Sequence, residues 1–210
     1  RPSAQGRSPS RVALGFADLH AAPGDHIGHF YQSRREWLDV VVPYLSTGLE
    51  AGEQCVYVIP EGPDRQALLE ALSETGVDVQ GAQAGGRLLL DEGHRDPKAL
   101  EAFLHRVLSG VPEKFSFVRW GGDMTWSIKR LPTSESLMTW ETYCNRVANP
   151  PAVFLCQYEL AAFSGHVVMD ALSTHPLCLV GRAIHQNPFY EQPDAFLHRL
   201  ARRHLTPATT

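Results

Sequence analysis

His26-Ile27-Gly28-His29-Phe30, then Tyr31-Gln32-Ser33-Arg34, then Arg35-Glu36-Trp37-Leu38 is the stretch from which the rest of the chain can be read. Its first five residues read as a strand. Residues 35–49 read as a helix, because Trp37, Leu38, Val41, Tyr44, Leu45 and Leu49 recur at helical spacing and Gly52 lies just beyond. Pro43 falls inside that span, so the expectation includes a kink or two shorter helices. A strand-to-helix junction that holds a triphosphate carries a glycine-rich run ending in Lys-Ser/Thr, since bare backbone N–H groups and a lysine must wrap the phosphates. Tyr31-Gln32-Ser33-Arg34 has none of these features. The chain downstream is nevertheless laid out like a nucleotide-binding α/β domain, which predicts that scaffold turned to another ligand.

Cys55-Val56-Tyr57-Val58-Ile59, closed by Pro60, is a near-continuous apolar run of the kind buried inside parallel sheets. Pro63 suits the first turn of a helix over 64–74, which Gly76 ends. A strand over 87–90, a helix from Asp96-Pro97 to about Leu108 and a strand over 115–120 follow. The loop Gly121-Gly122-Asp123-Met124 leads to a helix over 135–147, a strand over 152–158, a helix over 164–173 and a strand over 177–180. Asn187-Pro188-Phe189-Tyr190 reads as a loop before a last helix over 193–203. This alternation predicts an α/β fold of three layers with a mostly parallel central sheet. Residues 1–24 read as a flexible leader, 25–204 as a single domain without internal repeats, and 205–210 as a frayed tail.

At 210 residues, 43% hydrophobic and 20% charged, the chain can bury a sizeable core. A net charge of -4 with interspersed signs supplies no basic stripe for nucleic acid. Its apolar runs, such as Val153-Phe154-Leu155, are too short to span a bilayer, and no hydrophobic signal core opens the chain, which predicts a cytoplasmic protein. Cys55, Cys144, Cys156 and Cys178 are widely spaced without a Cys-x-x-Cys pair, as expected of free buried thiols.

Residues 43–59, the following Glu61 and the strand over 87–90 resemble the helix and second strand of RecA-like ATPases of the KaiC type. A closer resemblance runs through Asp25-His26-Ile27-Gly28-His29-Phe30-Tyr31, Gly48-Leu49-Glu50-Ala51-Gly52-Glu53, Gly122-Asp123-Met124-Thr125-Trp126, Cys156-Gln157-Tyr158, His175-Pro176-Leu177 and Asn187-Pro188-Phe189-Tyr190. It is to the MEDS domain, a sensory module named for methanogens, methylotrophs and a dichloromethane-responsive repressor. That family looks like a KaiC-type domain without its Walker motif. The resemblance implies sensing of a small molecule, proposed to be a hydrocarbon derivative, and passage of the signal to a transcriptional, kinase or anti-sigma partner. It also places Glu61 where KaiC-type ATPases keep a catalytic acid, but with no phosphate cradle to serve.

Ligands of open α/β sheets bind beyond the carboxyl ends of the strands. The strand exits nominate His29, Tyr31, Glu61, Trp120, Asp123, Trp126, Cys156 and Tyr158, with Gln157 and Phe163 beside them. This aromatic set suits a small organic molecule better than a triphosphate, although aromatic residues at strand ends also close cores. His26, His29 and His175 are the candidate metal ligands. On a strand, His26 and His29 point to opposite faces, so a shared ion would need a distorted backbone, unless one of them meets Cys156 or His175 across the sheet. A metal or haem sensor and a residual nucleotide-binding enzyme remain the alternatives to a small-molecule sensor. No ATP is expected, no Gly-x-Ser-x-Gly elbow is present, and homodimerisation stays open.

Overall fold

The computed structural model describes residues 10–203, without the side chains of residues 111–113. Chain entry is through a small antiparallel ribbon of β1 (Val12–Ala13) and β2 (His20–Ala21). β3 (His26–Tyr31) then enters the main sheet, and α1 (Arg34–Glu50) leaves it. Ser33 caps α1: its hydroxyl accepts the Glu36 N–H at 3.3 Å. Ser33→Ala should therefore cost about 1 kcal/mol, read as a lowered urea midpoint with an unchanged slope. The helix runs through Pro43 as one element rather than two.

β4 (Gln54–Val58), α2 (Pro63–Glu74), α3 (Val79–Ala84) and β5 (Leu88–Asp91) build one flank. After α4 (Pro97–Lys114) the chain returns as β6 (Val118–Asp123), then runs through α5 (Trp126–Arg130), α6 (Ser134–Cys144), β7 (Ala152–Glu159) and α7 (Gly165–Thr174). β8 (Leu177–Val180), β9 (Ala183–Gln186) and α8 (Pro193–Arg202) follow. The main sheet has the order β5-β4-β6-β7-β3-β8-β9, with every pairing parallel except that of β9 to β8. Strand alternation divides the interior in two. Tyr57, Val153 and Leu155 face a core shared with α1, α2 and α3, whereas Val56, Trp120 and Phe154 face one built with α4 to α8. No helix among the described residues is long and apolar enough to cross a membrane.

Three expectations change here. The leader reading over 1–24 gives way from Val12 onward: Val12, Leu14, Phe16 and Ala21 are buried against the α1-side core, and the Ala13 carbonyl accepts from Arg119 Nη2 at 2.6 Å. The polar residues around these four hid a short apolar segment. Residues 1–9 and the tail 205–210 lie outside the described residues. The glycine loop is not a loop at its start, since Gly121, Gly122 and Asp123 continue β6. A Cβ at Gly121 would stand 2.9 Å from Tyr57 Cδ2, so the missing side chain makes room for that ring. Finally, α6 ends at Cys144 rather than Val147, and the short elements α3 and β9 had no strong periodic signal.

Candidate functional site

On the α1 side of the sheet, four buried side chains form a hydrogen-bonded line. Trp37 Nε1–H donates to the Tyr57 hydroxyl at 2.7 Å, the Tyr57 hydroxyl donates to Gln157 Oε1 at 2.7 Å, and Gln157 Nε2 donates to His29 Nδ1 at 2.9 Å. An indole can only donate, so each polarity in the line is set by the one before it. The amide presents its NH2 to His29, which must accept at Nδ1 and carry its proton on Nε2. A charged ring would break this arrangement, and burial holds His29 down to about 4, with Glu36 opposing. His29 borders a cavity of about 250 Å³ lined also by Phe16, Phe30, Glu36, Asp39, Val40, Gly181 and Arg182. A wider hollow of about 620 Å³, lined by Arg11, Asp18, His20 and Asp25 among others, lies at the opposite ends of the strands and is more open and polar.

The carboxyl ends of β3 and β6 bring Tyr31 and Asp123 together. Asp123 Oδ1 accepts the Thr125 N–H at 3.0 Å. Burial pushes its carboxyl up to about 6, against the opposing pull of Thr125 and the Tyr31 hydroxyl. Burial also raises the Tyr31 hydroxyl, with Asp123 and Glu159 adding to the effect. Here α1 leaves β3 on one face while α7 leaves β7 on the other, the crossover arrangement that opens a crevice at strand ends.

The opposite face holds a second polar group: His26 from β3, Glu141 from α6, Cys156 from β7 and His175 from the end of α7. One donor atom from each lies within 4.8 Å of all the others. Glu141 Oε2 is 3.1 Å from His26 Nε2 and 3.5 Å from His175 Nε2, and Cys156 Sγ is 3.4 Å from His26 Nε2. The Tyr158 hydroxyl donates to Glu141 Oε1 at 2.5 Å. Gly28 admits the His175 ring, for a Cβ there would stand 3.0 Å from its Cγ. Burial works to raise the Glu141 carboxyl, but the His175 and His26 imidazoles outweigh it and hold the group well below the usual carboxylate range. Burial and the neighbouring His175 lower His26, while burial and Glu141 raise the Cys156 thiol.

His26 and His29 thus take opposite faces of β3, as strand alternation requires, and the candidate metal set loses His29. Glu141 joins His26, His175 and Cys156 instead. It is legible in hindsight as an acid on the apolar stripe Leu137, Met138, Cys144 of α6. Trp120, Trp126 and Tyr158 are at most 2% exposed and belong to the core on this same face, where Trp120 meets Trp140 at a ring distance of 5.9 Å. Glu61 is exposed, 3.9 Å from Arg65. Of the strand-exit candidates, His29 alone borders the 250 Å³ cavity.

A three-layer α/β domain with a mostly parallel sheet and a strand-to-helix junction lacking the phosphate cradle defines a RecA/KaiC-like fold without its triphosphate-binding loop. Residues 25–176 match the MEDS family, the MEthanogen/methylotroph, DcmR Sensory domain, and the chain belongs to that family. It is 29% identical over 166 residues to the transcriptional repressor DcmR of Methylorubrum extorquens (strain DSM 6343 / CIP 106787 / DM4), a match covering 76% of this chain and 61% of the repressor. The fold is similar to that of a KaiC-like protein from Pyrococcus horikoshii OT3, with a TM-score of 0.59 at 16% identity over 80% of this chain and 78% of that one. It is also similar to the flagellar accessory protein FlaH of Methanocaldococcus jannaschii, with a TM-score of 0.51 at 11% identity over 80% and 83% of the two chains. The chain is therefore a sensory domain on a KaiC-like scaffold.

Proposed function

We infer that this domain senses a small, weakly polar organic molecule in the cavity beside His29 and transmits its occupancy to a regulatory protein partner or output domain. The observation that carries the reading is the cavity itself: Phe16 and Val40 supply apolar wall, while His29 offers an N–H held in place by the Gln157–Tyr57–Trp37 line. A ligand that accepts from His29 Nε2 would favour one setting of this line, which spans β3, β7, β4 and α1 and so couples the cavity to the middle of the sheet. The volume of about 250 Å³ suits a molecule of a few heavy atoms, in keeping with the hydrocarbon derivatives proposed for the family. The repressor relative supports a transcriptional output, and a net charge of -4 without a basic stripe favours a protein contact over nucleic acid bound by this domain.

The test is an NMR titration of the full chain with dichloromethane and short chlorinated or oxygenated alkanes. Saturable shifts should centre on His29, Phe30, Val40 and Gly181 and should disappear in Val40→Trp, which fills the cavity. Shifts that never saturate, or that are indifferent to Val40→Trp, would sink the reading. The enzyme alternative predicts phosphate release from MgATP that is lost in Glu61→Gln. We expect none above background, because Glu61 is exposed beside Arg65 and the β3–α1 junction lacks the lysine and hydroxyl that phosphoryl transfer requires.

A further inference from the structure

We propose that His26, Glu141, Cys156 and His175 are the four ligands of a divalent metal ion with the preferences of zinc, bound inside the domain on the face opposite the cavity. The inference stands apart from the sensing role and rests on hydrogen-bond polarity, distances and charge.

Polarity comes first. Asn145 Nδ2 donates to the Thr174 carbonyl at 2.7 Å and to the Glu141 carbonyl at 3.3 Å, so its Oδ1 faces His26 Nδ1, 3.1 Å away, as an acceptor. His175 Nδ1 is 2.6 Å from the Ala171 carbonyl, which can only accept. Both rings therefore carry a proton on Nδ1 and turn Nε2 toward the same Glu141 oxygen. With neutral rings, two nitrogen lone pairs would face a carboxylate oxygen. Glu141 Oε2 and His175 Nε2 are indeed among the buried polar atoms without a hydrogen-bond partner, although they approach within 3.5 Å. A cation bound by all of them resolves the conflict.

The distances agree. Tetrahedral bonds of about 2.0 Å to nitrogen or oxygen and about 2.3 Å to sulfur separate neighbouring ligand atoms by roughly 3.3–3.6 Å. Three of the six separations are 3.1, 3.5 and 3.4 Å, and all six lie within 4.8 Å, so the remaining pairs close by small side-chain movements on binding. Charge agrees as well: a thiolate and a carboxylate balance a divalent ion, which leaves a neutral group where the Glu141 and both histidine side chains have no solvent exposure. Imidazole and thiolate donors favour zinc over magnesium or calcium. The surroundings orient the ligands as metal sites require, with Asn145 and the Ala171 carbonyl on the two Nδ1–H groups and Tyr158 on the free Glu141 oxygen. Four protein ligands leave no open position, so the ion is structural and clasps β3, α6, β7 and the end of α7.

The rival is an arrangement of protons alone, in which the Cys156 thiol donates to His26 and an imidazolium at His175 pairs with Glu141. Elemental analysis of the full chain, expressed with zinc supplied and purified without a histidine tag, separates the two. We expect one zinc per chain, released only on denaturation. The chain is then unfolded, stripped with chelator and refolded with cobalt(II). Tetrahedral cobalt bands and a thiolate-to-cobalt transition should appear in the wild type, persist in Cys55→Ser, whose thiol lies in the α1-side core, and lose the thiolate transition in Cys156→Ser. Wild-type protein that is folded by circular dichroism yet holds no metal, both as purified and after refolding with zinc or cobalt, overturns the proposal whatever the variants do. A thiolate transition that survives Cys156→Ser overturns it too.

Discussion

Arg119→Met lowers the free energy of unfolding by about 3–5 kcal/mol. Arg119 lies on β6, in a buried position facing α1, with its side chain 1% exposed. Its Nε donates to Glu53 Oε2 at 2.5 Å, Nη1 to the Tyr44 carbonyl at 3.0 Å and Nη2 to the Ala13 carbonyl at 2.6 Å, while the guanidinium carbon stands 5.3 Å from the Tyr44 ring centroid. Methionine keeps the bulk but strands the Glu53 carboxylate, itself 6% exposed, together with two carbonyls. Most of the loss comes from the orphaned acid, so adding Glu53→Gln should recover a large part of it. The ribbon of β1 and β2 should loosen as well, seen as faster amide exchange at Leu14, because Nη2 reaches the Ala13 carbonyl. Urea unfolding of the single and double variants decides it. A single-variant loss below about 1 kcal/mol would place Arg119 among the ordinary surface ion pairs. Gly48 belongs to the same device, for a Cβ there would lie 2.4 Å from Arg119 Cδ.

Asp123→Asn should act in the opposite sense. A carboxyl raised from 3.8 to about 6 favours the folded state at low pH, and that advantage is lost as pH rises from 3.8 through about 6. Above that window the folded protein carries a buried carboxylate at a cost of up to about 3 kcal/mol. Asparagine can still accept the Thr125 N–H but is never charged, so the variant should be more stable than wild type above pH 6. The difference should shrink to nothing by about pH 4. The comparison must be made between variant and wild type, because His29 works against Asp123 in the same range. Its pKa is depressed from 6.5 to about 4, so its contribution is present above 6.5 and lost as pH falls through about 4. Urea midpoints at pH 7.5 and 4.5 test this, and equal midpoints for the two proteins at pH 7.5 would show that burial does not raise the Asp123 carboxyl.

The proposed sensing of a small molecule on a KaiC-like scaffold needs two features, the absence of a phosphate cradle and a pocket elsewhere. The first is visible in Tyr31-Gln32-Ser33-Arg34 alone. The second needs Phe16, from a segment that reads as a leader, and Gly181 and Arg182, from the turn between β8 and β9, to meet His29 and Val40. Those residues are brought together by the sheet order, which no local pattern records. Trp120, Trp126 and Tyr158 show the same gap from the other side. Their position at strand exits was legible, but whether an aromatic ring at an exit faces a ligand or closes a core depends on the helix that covers it, and here α4 to α8 cover all three.

By itself, then, the sequence determined the alternation of strands and helices, the parallel sheet, the absent cradle, and the opposite facing of His26 and His29. All of these depend on periods of two or 3.6 residues or on a single short junction. Only the tertiary structure decided that His26 meets Glu141, Cys156 and His175, and that His29 meets Gln157 and a cavity. Those encounters follow from β3 lying between β7 and β8 with α6 and α7 packed over one face, and the pairing of strands far apart in the chain is set by the fit of the whole core rather than by the residues next to each histidine.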